Sequence, residues 1–311
     1  MNSVSQALPR RLAAEVSPER FRRLTLAALA MLLLIIASGA TVRLTGSGLG
    51  CEHWPGCQPG DPFPKKGYHS YVEFSNRVVS FLTIVSVLVA ALASLRTPGV
   101  HRSTRRLAWL VFAGTLAQAP LGALTVHFHL NPYLVISHLL LSLTMIGLGV
   151  VLVLEATRLV RGDAPPLPRI VLAGGAVLLA AATALVVTGT LATAAGKYPG
   201  SSGDTRVTRL GAFEPSVAVH VRVVAAFGVV FLVLAAWAWR QRDRFPWLIR
   251  ACAGLLGILA LQMAIGELQY RTYDRVPWWI VLIHVFVAAS LFAWTVGIVS
   301  RLWHPVAPRR A

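Results

Sequence analysis

Charge is what this sequence has least of. Only 13% of its 311 residues are Asp, Glu, Lys or Arg, while 56% are hydrophobic and mean hydropathy is +0.65. A soluble globular domain of this length is excluded, because so few charged groups cannot clothe its surface. Acids are scarcer still, 12 against 29 basic residues, which leaves a formal net charge of +17. Cysteine is nearly missing: of the three, Cys51 and Cys57 lie close together, and Cys252 sits inside an apolar run as a small packing residue.

What is abundant is long apolar sequence. About 20 residues at about 1.5 Å rise cross a hydrocarbon core of about 30 Å. Eight runs meet that length, roughly 24–42, 74–95, 106–126, 132–154, 170–194, 215–239, 248–268 and 277–300. The fold class expected is an all-α membrane protein, its eight transmembrane helices arranged as two pseudo-symmetric four-helix bundles. Run 24–42 ends near 37-ASGA-40, as a signal peptide would, but its leader is long and the run is full membrane length, so it reads as an uncleaved anchor.

The basic residues are not spread as a nucleic-acid face would need. With residues 1–23 placed in the cytoplasm, 19 of the 29 fall on that side, including Arg10, Arg11, Arg158, Arg161, Arg244, Arg250, Arg301, Arg309 and Arg310. This is the positive-inside bias, with both termini cytoplasmic and the chain multi-pass in the cell membrane. The partner implied is the lipid bilayer, not nucleic acid.

The chain also repeats itself. Segment 118-QAPLGALTV-126 rhymes with 262-QMAIGELQY-270, and 39-GATVRLTGSG-48 with 189-GTLATAAG-196. Gln118 and Gln262 are 144 apart, as are Gly122 and Gly266. A shift of four spans restores orientation, so the halves would be parallel repeats about an axis normal to the membrane. The division expected is an arm 1–23, a four-helix half 24–155, a linker 156–169, a second half 170–300 and a tail 301–311.

The same offset carries Asn76, in 72-VEFSNRVVS-80, onto His220. His138 follows Pro132 by six residues and His284 follows Pro277 by seven. Asn76, His138, His220 and His284 thus occupy the four even-numbered spans, each within about two turns of its outer end. A lone histidine in a span is usually a packing residue; three at one depth on symmetry-related helices point to haem, which facing helices commonly hold through paired imidazoles. His220 and His284 form a complete pair, suited to a six-coordinate haem b. His138 stands opposite Asn76, whose amide is a poor iron ligand.

Arg77 and Arg222 suit haem propionates, since a guanidinium fork matches a carboxylate; the bland alternative is snorkelling to the interface. Glu73 lies three residues before Asn76 and so faces the same way; capping the start of its span is the alternative. The loop 43-RLTGSGLGCEHWPGCQPGDPFP-64 brings Cys51 and Cys57 to the outer side, where a disulfide is favoured; a metal site with His53 would lack ligands.

These stretches together, RLTGSGLGCEHWPGC, VEFSNR, QAPLGALTV and the histidine of span 4, resemble the heme A synthase family (Cox15/CtaA) over essentially the whole chain. The resemblance implies oxidation of the C8 methyl of haem O, through hydroxymethyl haem I, to the formyl of haem A for terminal oxidases. It further implies haem b held by His220 and His284, and substrate haem O on His138. Glu73 matches the family's essential glutamate, and Cys51 with Cys57 its loop disulfide. Asn76 departs from the pattern, where better-known members carry histidine; His53, His69, His127 or His129 would be the alternative sixth ligand. A haem O synthase, an electron acceptor of unspecified identity and a homo-oligomer are the partners implied. Two rivals share the histidines: a non-catalytic dihaem cytochrome exchanging electrons with quinone, and a haem transporter or chaperone. The cytochrome does not explain Glu73 beside an incomplete ligand pair, nor the cysteine loop. The transporter, in which the weaker site releases its cargo, predicts no new haem species.

Overall fold

Each helix begins and ends where local chemistry allows it. Ser17 caps α1 (Pro18–Leu44): its hydroxyl accepts the Arg20 N–H at 3.3 Å, and Pro18 fills the first turn, where a missing N–H is harmless. Asn131 and Pro132 repeat the device at α4 (Pro132–Arg161), Asn131 Oδ1 accepting the Tyr133 N–H at 3.0 Å. Gly162 stops α4 with φ 85°, a conformation that favours glycine. The other helices are α2 (Tyr68–Arg96), α3 (Arg102–His127), α5 (Arg169–Ala195), α6 (Phe213–Arg240), α7 (Pro246–Arg271) and α8 (Trp278–Trp303).

This computed structural model describes residues 15–51, 53–54, 56–64, 67–202 and 207–308. Arg10 and Arg11 of the expected arm, and Arg309 and Arg310 of the tail, lie outside them. Among the described residues there are eight helices, all long and apolar enough to cross a membrane, and no strand beyond isolated bridges. The expected all-α, eight-span architecture is what the chain forms, and it is a multi-pass membrane protein.

Packing closes the helices into two rings. In the first, α1 packs on α2, α2 on α3, α3 on α4 and α4 on α1; in the second, α5, α6, α7 and α8 close the same way. Between rings, α4 meets α8, α1 meets α8 and α4 meets α5. Exchanging the two rings maps this pattern onto itself, as a twofold axis through the α4–α8 contact would require. The seam is built from small residues: a methyl on Gly147 of α4 would lie 3.4 Å from Phe292, and one on Gly297 of α8 3.6 Å from Val150. Lipid tails are as apolar as leucine, so close packing of this kind holds such helices together, not escape from water.

One end carries the disulfide loop. There the connection after α1 is zipped to the one after α5: Gly48 N–H donates to Gly200 O at 2.8 Å, and Ser202 N–H to Gly46 O at 2.9 Å. Arg43 reaches across to Thr193 O at 2.9 Å and Tyr198 O at 3.2 Å. Leu130, buried and at φ 60°, plugs the junction against Gly48 and Gly200. At the opposite end the linker and tail pair, Ala164 N–H to Pro305 O and Ala307 N–H to Gly162 O, both at 3.0 Å.

Candidate functional site

Asn76, His138, His220 and His284 lie six to eight residues past the first residue of α2, α4, α6 and α8. At 1.5 Å per residue this is a depth of about 9–12 Å in every case. Each faces a glycine on the preceding helix. A methyl on Gly266 of α7 would lie 3.1 Å from His284 Cε1, and one on Gly189 of α5 3.2 Å from His220 Cε1. On Gly122 of α3 it would lie 3.5 Å from His138 Cε1, and on Gly39 of α1 3.9 Å from Asn76 Oδ1. A ring laid flat against helix backbone needs that missing Cβ. Asn76 therefore occupies the fourth copy of one cradle, with the loosest fit.

The odd-numbered helices also hold the histidine backbone. Gln118 Nε2 donates to His138 O at 3.2 Å and to Ser142 Oγ at 2.7 Å; Gln262 Nε2 donates to His284 O at 3.1 Å. Both glutamine Oε1 atoms are buried without a partner, as are His138 Nδ1, His284 Nδ1 and Asn76 Oδ1. An unsatisfied buried polar atom costs about 1–3 kcal/mol, so the same orphans in both halves mark a demand other than stability. His220 differs: its Nδ1 lies 3.1 Å from Thr188 Oγ1, whose proton goes to Ala184 O at 2.9 Å. The hydroxyl then accepts from Nδ1–H, which leaves Nε2 as the nitrogen with a free lone pair.

Among the described residues no three His, Cys, Asp or Glu side chains converge as a bare ion site. What converges is a pair: His284 lies within Coulombic reach of His220. Two imidazoles from facing helices are an incomplete set for a naked ion, but would be enough to hold an iron whose other ligands come with a porphyrin. The contact of α6 on α7 is the slightest around either ring. The donors, the orphaned nitrogens and the glycine gaps fit a haem.

In the first half a carboxylate lies one turn from Asn76. Glu73 is 5% exposed; its Oε2 accepts the Cys51 N–H at 2.8 Å and its Oε1 accepts from Arg77 Nη2 at 2.5 Å. Arg77 Nη1 in turn donates to His53 O at 2.6 Å and to Gly56 O. Cys51 and Cys57 are disulfide-bonded. Glu73 and Arg77 thus clamp a closed loop over the mouth of the first bundle. Arg222 is placed otherwise: two residues past His220, it stands about 200° round the helix from that ring, and it is exposed. Its side chain and the histidine pair are not brought together.

His69 is committed elsewhere, its Nδ1 2.9 Å from Ser47 Oγ and its Nε2 3.2 Å from Ser202 Oγ. His127 packs edge-on against Phe128, and His53 and His129 are exposed. Sequence reading missed the roles of the four glycines, the two glutamines and Thr188. The first two were already visible as the letters shared by both halves.

The COX15-CtaA family model, described as cytochrome oxidase assembly protein, matches residues 22–296. A Bacillus pumilus protein named "Heme A synthase" is 37% identical over 133 residues, 41% of this chain and 43% of that protein. One of the same name from Macrococcus caseolyticus is 26% identical over 129 residues, 42% of this chain and 43% of the relative. In these two the matched region spans less than half the relative's length. A third "Heme A synthase", from Listeria welshimeri, is 26% identical over 276 residues, 84% of this chain and 88% of that protein.

Proposed function

The chain belongs to the COX15-CtaA family, and we propose that within it this protein oxidises the C8 methyl of haem O to the formyl of haem A. The first bundle takes haem O as substrate on His138, and the second holds haem b between His220 and His284. The observation that carries the reading is the unequal completion of two copies of one cradle. The second has two rings; the first has one ring, an amide and a buried carboxylate a turn away. A cofactor needs a permanent grip, whereas a substrate has to leave.

When bound, haem b supplies one-electron redox chemistry beside the substrate site. The chain's own residues do the rest. Each of the two oxidations would take up one water and release two electrons and two protons, the electrons passing to an external acceptor. Methyl gives hydroxymethyl, and hydroxymethyl gives a hydrated aldehyde that then loses water. Glu73 stabilises positive charge developing at that carbon and accepts a proton from water brought to it. A carboxylate has about four acceptor sites, so the bonds from Cys51 and Arg77 fix its direction and leave capacity for water. The clamped loop keeps bulk solvent off the site. Arg77 acts through that loop, and any grip of Arg77 or Arg222 on propionates is secondary to it.

The orientation proposed puts the disulfide loop outside and both termini in the cytoplasm of a cell-membrane protein, as the arginine bias requires. Haem O would arrive from a haem O synthase, and the electrons would leave to an external acceptor. The test is to express the chain with a source of haem O, extract the haems and separate them by chromatography. Haem A or its hydroxymethyl precursor is expected, and Glu73→Gln should leave haem O unconverted. Recovery of haem O and haem b alone would refute the activity; normal conversion by the variant would remove Glu73 from it.

A further inference from the structure

At the end opposite the disulfide loop, a cavity of about 750 Å³ opens between the end of α4, the α6–α7 turn and α8. Its walls carry Arg161, Arg244, Arg250 and Arg301, together with Trp247 and Trp294, and no acidic residue. We propose that this cavity binds the phosphate of an anionic phospholipid, a site separate from both haem cradles.

The arginines are not merely scattered along a membrane face. Arg301 lies near enough to Arg161 and Arg250 to feel their charge. Its guanidinium is stacked 4.2 Å over the Trp247 ring, which fixes the plane of its donors, and its buried Nε has no partner. Among the described residues neither Arg161 nor Arg301 has a hydrogen-bond or ion-pair partner. Like charges held together without an acid lower stability until an anion joins them, and planar guanidinium donors match phosphate oxygens.

The first half supplies an internal control. Its corresponding cavity, about 770 Å³, is bordered by the α2–α3 turn and the end of α4. There Arg158 is neutralised, 2.8 Å from Glu155 and 2.8 Å from Asp163. Glu155 lies 17 residues beyond His138, and Arg301 lies 17 beyond His284. The same point of the repeat thus carries an acid in one half and an arginine in the other. Trp294, 44% exposed on the rim, gives the acyl chains an apolar wall at interfacial depth. In the orientation proposed above this is the cytoplasmic leaflet, where basic pockets between helices take lipid phosphates.

The test uses the full chain in detergent, with native mass spectrometry against added phosphatidylglycerol and phosphatidylcholine, and inorganic phosphate as a third arm. Phosphatidylglycerol should be retained selectively. Arg250→Gln and Arg301→Gln should each weaken it by about fivefold, with Arg158→Gln unchanged. Arg250 is exposed, so its variant reads the site even if Arg301→Gln misfolds. Equal retention of the two lipids, or an equal loss in Arg158→Gln, would overturn the proposal. Inorganic phosphate competing as well as the lipid would overturn the lipid assignment in favour of a soluble phosphate ligand. Haem occupancy plays no part in the readout, so its outcome is independent of the proposed activity.

Discussion

Gly266→Ala should remove haem b from the second bundle without unfolding the protein. The added methyl would sit 3.1 Å from His284 Cε1, where carbon atoms prefer about 3.5–4.0 Å. The ring must therefore yield by about half an ångström, roughly the tolerance within which a ligand set works. Displacing a metal ligand's support typically costs about 10–100-fold in affinity. Helix propensity pulls the other way: alanine is better than glycine by about 0.8–1.0 kcal/mol in a helix interior. Ligation and stability should thus move in opposite directions, which no general damage would produce. Gly39→Ala is the control, because its methyl would meet Asn76 Oδ1 at an ordinary 3.9 Å. The assay is Soret absorbance per mole of purified protein, read beside a thermal denaturation curve of haem-stripped chain. Full haem content in Gly266→Ala, or equal loss in Gly39→Ala, would refute the cradle argument.

Two further outcomes follow from the first bundle. Asn76→His should be accommodated, given the room opposite Gly39, and should convert haem bound there to the low-spin spectrum of a bis-imidazole site; an unchanged spectrum would show that position 76 does not face the iron. Cys57→Ser opens a short covalent loop whose closure is worth about 2 kcal/mol, so amide exchange at the Cys51 N–H held by Glu73 should accelerate markedly; equal protection in variant and parent would show that the Glu73–Arg77 clamp suffices alone.

The eight spans were legible because a membrane asks one thing of a helix, length of apolar sequence, and that can be counted along the chain. The four equivalent positions were legible because the repeat aligns them: one offset takes Asn76 to His220, and the glycines at 122 and 266 travel with it. What could not be read was direction across space. Nothing local says that Glu73 accepts from the backbone of Cys51, 22 residues earlier, or that Arg77 turns to the carbonyls of His53 and Gly56. Those contacts depend on how an irregular loop folds back, and its glycines and prolines have no period to follow. Arg222 shows the converse hazard. Its guanidinium suggested a grip on propionates, and sequence alone could not show that two residues past His220 it stands almost on the far side of the helix, exposed.

The offset that finds the ligands also shows what the scaffold does without the clamp. Carried forward by 144, Glu73 and Arg77 fall on Val217 and Val221. The second bundle therefore closes, packs and presents its ring with two valines where the first has a glutamate and an arginine. A buried ion pair gains little over apolar residues of similar size, because desolvation offsets most of the attraction. The fold has no need of these charges, and one copy of it already dispenses with them. Their presence at the mouth of the bundle with the incomplete ligand set is thus tied to what that bundle does. A resident haem asks only for rings. In the function proposed, a porphyrin that is altered and released would ask for a carboxylate held in place, a loop to cover it, and a weaker hold on the iron.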